Sequence, residues 1–213
     1  TTAGACTDSF VVTASSSRDY QDLCGTLSGQ HVYYETARST SSQTLSFTIA
    51  TGGTWRIKVS QIECWSTSKP PTDCYQYFTG DSGNVQSLNW PTVALDHLDY
   101  SICVRQEAGY CAIQWSPNAS TSPDPFELGL EDISKVGSGN TVAEEALIFI
   151  HGSMNIDYAG GTLAEDSDDT TNAAVLAVGM PFILHFSVPG GVIASTGFSL
   201  DWRQVPCGGF RQE

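Results

Sequence analysis

Apolar and polar residues alternate with a period of two in several short segments of the chain, whereas long helical periodicity does not recur. In residues 55–60, for example, the apolar residues Trp55, Ile57 and Val59 alternate with polar neighbours. Because side chains of a β-strand point alternately to the two faces of a sheet, each such segment predicts a strand. The segments are 45–50, 55–60, 111–115, 182–188 and 198–203. Residues 146–150 (ALIFI) are continuously apolar and predict a strand buried on both faces.

Turn-forming residues separate the predicted strands. Pairs of glycine or proline stand at Gly52-Gly53, Pro70-Pro71, Gly160-Gly161 and Gly190-Gly191, and such pairs mark turns. Many short strands separated by turns favour an antiparallel β-sandwich over a parallel sheet, because the crossovers of a parallel sheet need helices. We therefore predict an all-β protein.

The chain contains an internal repeat. Residues 55–64 (WRIKVSQIEC) and 198–207 (FSLDWRQVPC) are both alternating segments that end in Gln, an aliphatic residue, one further residue and Cys. Such self-similarity indicates repeated structural units. We predict that residues 1–64 are the C-terminal half of a module, that 65–73 are a linker, and that 74–213 form a complete module.

A half module of this length is too short for two sheets and a full core. Three interpretations stay open. The chain begins after a cleavage, the missing strands come from another polypeptide, or residues 1–64 pack onto the complete module as extra strands.

The charge of the chain excludes several classes of partner. Its 213 residues include 9 Lys and Arg against 23 Asp and Glu, for a net charge of −14. Nucleic acids and anionic membranes both select clustered cations, so neither is an expected partner. No apolar run reaches the ~18–20 residues of a membrane-spanning helix. The charge favours cationic partners and salt-sensitive association.

The seven cysteines indicate an oxidising compartment and hence a secreted protein. The interpretation of these cysteines as metal ligands is weaker than their interpretation as disulfides, because no cysteine pair has the spacing of a zinc site and the chain has only four histidines. Asn118, Ala119 and Ser120 form an N-glycosylation sequon, which fits secretion.

Three segments together resemble the CUB-domain proteins that arthropods and other invertebrates secrete. They are CYQYFTGDSGNVQSLNW, LDYSICVRQEAGYCAIQWSP and GFSLDWRQVPC, and the resemblance covers about residues 6–207. CUB modules are antiparallel β-sandwiches of jelly-roll type that act mainly in extracellular recognition of proteins or carbohydrates. The resemblance therefore implies a non-enzymatic function.

The resemblance also implies two disulfides. Cys74 with Cys103 matches the first bridge of the family, and Cys6 with Cys24 matches the second bridge in the partial module.

Three cysteines remain, and all three cannot pair within the chain. We expect a Cys64–Cys111 disulfide, because both residues follow aromatic-bearing strands near the module boundary, and this leaves Cys207 unpaired. The alternative is that Cys111 is a buried free thiol.

We expect no cofactor, and calcium is the alternative. A subset of CUB modules binds calcium through a Glu, an Asp early in the module and an Asp in a late loop. In the complete module Ala143 falls near the early Asp, and residues 193–196 (IAST) occupy the late loop. This ligand set is too poor in carboxylates for the family site.

Hydrolase signatures are weak in this chain. The string Gly80–Gly83 (GDSG) places Ser82 where trypsin-like proteases have their nucleophile, but only 81 residues precede it. That fold needs a longer preceding chain to carry its His and Asp. Glycosidase chemistry needs paired carboxylates, and the candidates without a signature are Glu127, Glu131, Asp132, Glu144 and Glu145. We therefore predict that the protein is not an enzyme.

The tryptophans provide candidate interface residues. Trp65 lies in the predicted linker and Trp90 precedes Pro91, so either could anchor a partner or a sugar ring. For Trp90 a core position is an equal alternative. Trp55, Trp115 and Trp202 alternate with apolar neighbours and are predicted to be core residues.

The predicted function is recognition or assembly outside the cell, with a protein or carbohydrate partner or with further copies in an oligomer. The alternative is a carrier of an apolar small molecule, such as a lipid or pigment, in a pocket between aromatic-rich modules.

Overall fold

A computed structural model of the chain describes residues 4–13, 22–36, 44–49, 52–120, 124–129, 134–136, 146–155, 157–189 and 195–208. The described residues form strands and no helix. The strands are β1 (Ser9–Thr13), β2 (Thr44–Thr48), β3 (Cys74–Phe78), β4 (Ser82–Gln86), β5 (Asp99–Val104), β6 (Tyr110–Pro117), β7 (Phe126–Glu127), β8 (Ser134–Val136), β9 (Leu147–Ile150), β10 (Asp157–Gly160), β11 (Val175–Val178), β12 (Phe182–Ser187) and β13 (Gly197–Pro206). The predicted all-β class is confirmed.

Strands β3–β13 form a sandwich of two sheets. One sheet has the order β3-β5-β12-β9-β10-β8, and the other has the order β11-β6-β13-β4 with β7 paired to β13. The pairs are antiparallel except for β3 with β5, which is parallel. The two sheets share one core, in which the Phe186 ring of β12 lies 5.1 Å from the Phe198 ring of β13.

Alternation in the sequence correctly predicted the strands at the centre of the sandwich. In β12 the side chains of Phe182, Leu184 and Phe186 are buried and their neighbours are half-buried. The prediction for residues 146–150 was correct for the strand but wrong for its burial, because Leu147 and Phe149 are only half-buried. Their strand, β9, lies in one layer of a two-layer sandwich, so one of its faces is turned away from the core.

Residues 55–60 are not a strand, which contradicts the prediction from their alternation. Residues 52–63 have no strand assignment, and the side chains of Trp55, Ile57 and Val59 are exposed. The physical reason is that a strand requires hydrogen bonds to a neighbouring strand, and none pairs with this segment among the described residues. Residues 44–48 do form β2, which pairs with β1.

Part of the N-terminal segment packs onto the sandwich. Leu23 is buried in the shared core. The backbone N–H of Tyr33 donates to the carbonyl of Tyr75 at 2.8 Å, and that of Asp96 donates to the carbonyl of Gly4 at 3.1 Å. The segment therefore covers one part of the sandwich through both apolar and backbone contacts.

The structure contains three disulfides, namely Cys6–Cys24, Cys74–Cys103 and Cys111–Cys207. The first two are the pairs that the family resemblance implies.

The expected Cys64–Cys111 disulfide is wrong, as is the expectation that Cys207 is unpaired. Strands β6 and β13 are neighbours and Tyr110 pairs with Pro206, so the Cα atoms of Cys111 and Cys207 are 4.8 Å apart. This distance lies within the range that a disulfide can span. Cys64 is an exposed free thiol in a segment that has no strand partner among the described residues.

Candidate interaction surface

The first candidate surface lies on β2 and the segment that follows it. Eight large apolar side chains are exposed there, and we call them the 45–65 surface. They are Leu45, Phe47, Ile49, Trp55, Ile57, Val59, Ile62 and Trp65. Grouped apolar side chains on a protein surface commonly mark an interaction site.

A stack of three aromatic rings organises the 45–65 surface. The antiparallel register of β1 and β2 places Phe10 opposite Phe47, with ring centroids 4.9 Å apart. The indole of Trp55 also stacks on Phe47, with ring centroids 4.4 Å apart and an interplanar angle of 13°. Trp55 is 58% exposed, so its prediction as a core residue was wrong.

The two tryptophans that were candidate interface residues differ in burial. Trp65 is 79% exposed, in a turn where Ser66 N–H donates to the carbonyl of Glu63. Trp90 is buried in the sandwich, and its backbone N–H donates to the carbonyl of Ser87. The interface interpretation of Trp90 is therefore wrong, because a buried ring cannot contact a partner. Trp115 and Trp202 are core residues, as predicted.

A second exposed apolar group lies at an edge of the sandwich, and we call it the methionine patch. It consists of Met154, Leu176, Val178 and Met180. These include both methionines of the chain, 89% and 58% exposed respectively. Strand β11 is the edge strand of its sheet. The loop carrying Met154 lies beside this strand, since Val178 N–H donates to the carbonyl of Gly152 at 2.8 Å.

A serine, a histidine and an aspartate meet on the outward face of β5 and β12. Nε2 of His185 lies 2.6 Å from Oδ1 of Asp99, and its Nδ1 lies 3.1 Å from Oγ of Ser101. The strand register places His185 opposite Ser101. The sequence analysis missed this set, because only strand pairing brings the three residues together.

This set lacks the geometry of a serine hydrolase. Ser101 lies in the middle of β5, which is paired with β3 on one side and β12 on the other. Strand pairing engages the surrounding backbone N–H groups, so they are not directed at a reacting carbonyl as an oxyanion hole requires. The three residues instead form a cross-strand contact at the surface.

A small pocket lies between residues 28–31 and strands β3 and β4. Its lining is mostly polar and includes Gln30, His31, Gln76 and Asn84. Nε2 of His31 lies 3.1 Å from the carbonyl oxygen of Tyr77. Burial lowers the pKa of His31, and the contact with the Tyr77 backbone opposes this shift. Carriers of lipids or pigments need a mainly apolar cavity, and this pocket does not provide one.

The sandwich and its disulfides are matched by a known family. The sequence model of the animal CUB domain matches residues 71–205, which is more than half of the 213 residues. The chain belongs to the animal CUB domain family. No curated protein matches the chain. CUB domains are generally non-enzymatic modules that bind ligands outside the cell, and three disulfides are typical of such a location.

The CUB match includes the methionine patch and excludes the 45–65 surface. Strands β3–β12 and nearly all of β13 lie within the matched residues. The match confirms the resemblance to CUB proteins. It does not distinguish an invertebrate protein from that of another animal. In the described part of the chain, no helix is long and apolar enough to cross a membrane.

Two of the candidate catalytic residues, Ser82 and Glu127, lie in the described part of the chain. Both make ordinary hydrogen bonds to neighbouring side chains. Ser82 donates to Oδ1 of its neighbour Asp81. Glu127 accepts a hydrogen bond from Thr196 at 2.8 Å. The other four candidate carboxylates, Glu131, Asp132, Glu144 and Glu145, lie outside the described residues.

The positions compared with the calcium ligands of other CUB domains fall largely outside the described residues. Ala143 and residues 193–194 lie outside the described residues. Within the described residues, no three His, Cys, Asp or Glu side chains are grouped as metal ligands.

The sequon residue Asn118 follows β6 at one end of the CUB sandwich. Its Nδ2 donates to Oδ1 of Asp201 at 3.1 Å, and its Oδ1 accepts from Ser120 N–H at 2.9 Å. The side chain is half-buried, whereas Ala119 and Ser120 are exposed.

Proposed function

We propose that this protein is a secreted, non-enzymatic recognition protein whose CUB domain binds an extracellular protein through the methionine patch. The observation that carries the proposal is the exposure of four large apolar side chains, including both methionines, at the β11 edge. Methionine is common at binding surfaces because its flexible, polarisable side chain adapts to the shape of a partner.

The shape and chemistry of the patch favour a protein partner over the alternatives. Leu176 and Val178 point outward from β11, while Val175 and Ala177 point into the core. Carbohydrate sites require aromatic faces with several polar groups, which these four side chains do not supply.

The charge of the chain indicates the character of this partner. With a net charge of −14, the protein attracts a cationic partner and accelerates its approach. Salt screens this attraction, so binding weakens as the ionic strength rises.

Substitution of the patch tests the proposed function. The double variant Val178→Ser with Met180→Ser removes two side chains that are 55% and 58% exposed. The control, Trp65→Ser, removes a side chain that is 79% exposed and lies outside both the patch and residues 55–64. Both variants leave the buried core unchanged.

The measurement is cross-linking of each variant in native extracellular fluid, with the masses of the complexes compared. Wild type and control are expected to form the same salt-sensitive complex, and the patch variant is expected to lose it. The proposal fails if the patch variant retains the complex, or if wild type cross-links to no protein.

A further inference from the structure

In the second half of the CUB sandwich, one strand lies between two antiparallel neighbours. Strand β9 pairs with β12 on one side and with β10 on the other. At the centre, Ile148 is the partner of Phe186 in β12 and of Tyr158 in β10.

The N-terminal segment repeats this arrangement. Phe10 in β1 is the partner of Phe47 in β2, and on its other side it forms an isolated bridge with Leu23. β1, β2 and the residues around Leu23 therefore correspond to β9, β12 and β10.

The aromatic contact between the two layers of the sandwich is repeated as well. In the complete module the Phe186 ring of β12 lies 5.1 Å from the Phe198 ring of β13. In the N-terminal segment the Phe47 ring of β2 lies 4.4 Å from the Trp55 ring. The sequence repeat aligns Trp55 with Phe198, so Trp55 contacts β2 as Phe198 contacts β12.

In the complete module β13 is held by the first half of the same module. It pairs with β4 along one edge and with β6 along the other. The buried Gln204 side chain donates to the carbonyls of Gly80 and Arg105 and accepts from Glu107 N–H at 2.9 Å. The strand is followed by Cys207, which is bonded to Cys111 of β6.

The corresponding partners of residues 55–64 are missing among the described residues. Gln61 aligns with Gln204 and Cys64 with Cys207, yet Gln61 is exposed and Cys64 is an exposed free thiol.

The apolar side chains of the repeat differ in burial in the same way. The three aligned apolar side chains of β13 are at most 2% exposed, whereas their counterparts in residues 55–59 are at least 40% exposed. The aligned pairs are Phe198 with Trp55, Leu200 with Ile57, and Trp202 with Val59.

We propose that residues 55–64 are the closing strand of a second CUB module, whose first half lies on their N-terminal side in the same polypeptide. This half supplies two strands equivalent to β4 and β6, and a cysteine in the latter forms a disulfide with Cys64. The bond forms by thiol–disulfide exchange with an oxidised dithiol oxidoreductase of the secretory pathway: the two thiols lose two electrons and two protons, and the disulfide of the oxidoreductase is reduced to two thiols.

The order of the repeat identifies the source of the missing half. In the complete module β3–β6 precede β9–β13 along the chain, so the equivalent half belongs before residues 4–64. A second copy of this chain does not provide the cysteine of the β6 equivalent, because its other six cysteines are bonded to one another. The inference concerns a surface separate from the methionine patch and stands independently of the proposed function.

Disulfide mapping of the native secreted protein tests the proposal. Free thiols are alkylated before digestion, and the peptide containing Cys64 is identified by mass spectrometry without reduction. The expected result is a disulfide to a cysteine of an alternating, strand-like peptide, located N-terminal to Gly4 in the same polypeptide. Alkylated Cys64, a Cys64–Cys64 bond between copies, or a bond to a different polypeptide would each overturn it.

Hydrogen exchange provides a measurement that does not depend on the cysteine. In the native protein, amides of residues 55–64 are expected to exchange at least about 100-fold more slowly than in the isolated 213-residue chain, because paired sheet amides are protected. Gln61→Ala is expected to remove much of this protection in the native protein, whereas the control Ser60→Ala, aligned with the exposed Arg203, leaves it unchanged. Equal exchange in the native protein and the isolated chain would contradict the proposal.

Discussion

The side-chain carbonyl of Asn89 accepts a hydrogen bond from the backbone N–H of Thr26 at 2.7 Å, which joins two residues that are 63 positions apart. Asn89 is fully buried, and its Nδ2 donates to the carbonyl of Val93 at 2.6 Å. One amide side chain thus orders a turn of the sandwich and attaches the N-terminal segment to it.

Gly25→Ala is predicted to weaken this attachment. Gly25 has φ +79°, and a Cβ at this position would overlap Oδ1 of Asn89. We expect a loss of about 2–4 kcal/mol in the free energy of unfolding, from backbone strain and a disrupted buried hydrogen bond. Denaturant unfolding of the two proteins measures the difference.

Gly29→Ala is the matched control, because Gly29 has φ +80° and nothing lies within 4 Å of the added Cβ. It is expected to cost only about 1–2 kcal/mol, from the left-handed backbone conformation. Equal losses for the two variants would show that the contact with Asn89 contributes nothing.

Removal of the Cys111–Cys207 disulfide is predicted to destabilise the CUB domain strongly. The bond closes a loop with a sequence separation of 96, for which chain entropy gives about 4–5 kcal/mol. Cys207→Ser with Cys111→Ser is expected to lower the free energy of unfolding by this amount in non-reducing denaturant titrations. Cys64→Ser is the control and is expected to leave the stability of the isolated chain unchanged, since Cys64 is exposed and unbonded there.

The stability of the protein is predicted to fall on mild acidification because of His31. Burial lowers the pKa of His31 in the folded state, so between this pKa and the ordinary value the unfolded chain binds more protons. The free energy of unfolding therefore decreases as the pH falls through about 6.5. Thermal unfolding measured from about pH 7.5 to 5.5 is expected to show this decrease.

The variant His31→Gln isolates the contribution of this histidine. It keeps a polar side chain beside Tyr77 but does not titrate, so its stability is expected to depend less on pH over the same range. An identical pH dependence in wild type and variant would rule out His31 as the cause.

Asn118 is predicted to carry an N-linked glycan when the protein is made in a eukaryotic secretory pathway. Its sequon lies at a turn after β6, in which Ala119 and Ser120 are exposed. Peptide N-glycosidase is expected to reduce the mass of wild type but not of Asn118→Gln. An unchanged wild-type mass would show that the sequon is unused.

The sequence alone determined several strands at the centre of the sandwich. Alternation predicted β12 and β13 with their buried faces, because a period of two is imposed locally by backbone geometry. The residues of three short motifs likewise sufficed to place the chain among CUB proteins.

Only the tertiary structure decided which apolar residues are buried and which cysteines are bonded. Trp55 has the same local pattern as Trp202, yet Trp55 is exposed and Trp202 is buried, since burial depends on what packs against a strand. Cys111 is bonded to Cys207 because β6 and β13 are neighbours in one sheet. Strand neighbours can be far apart along the chain, so local periodicity does not encode which strands meet.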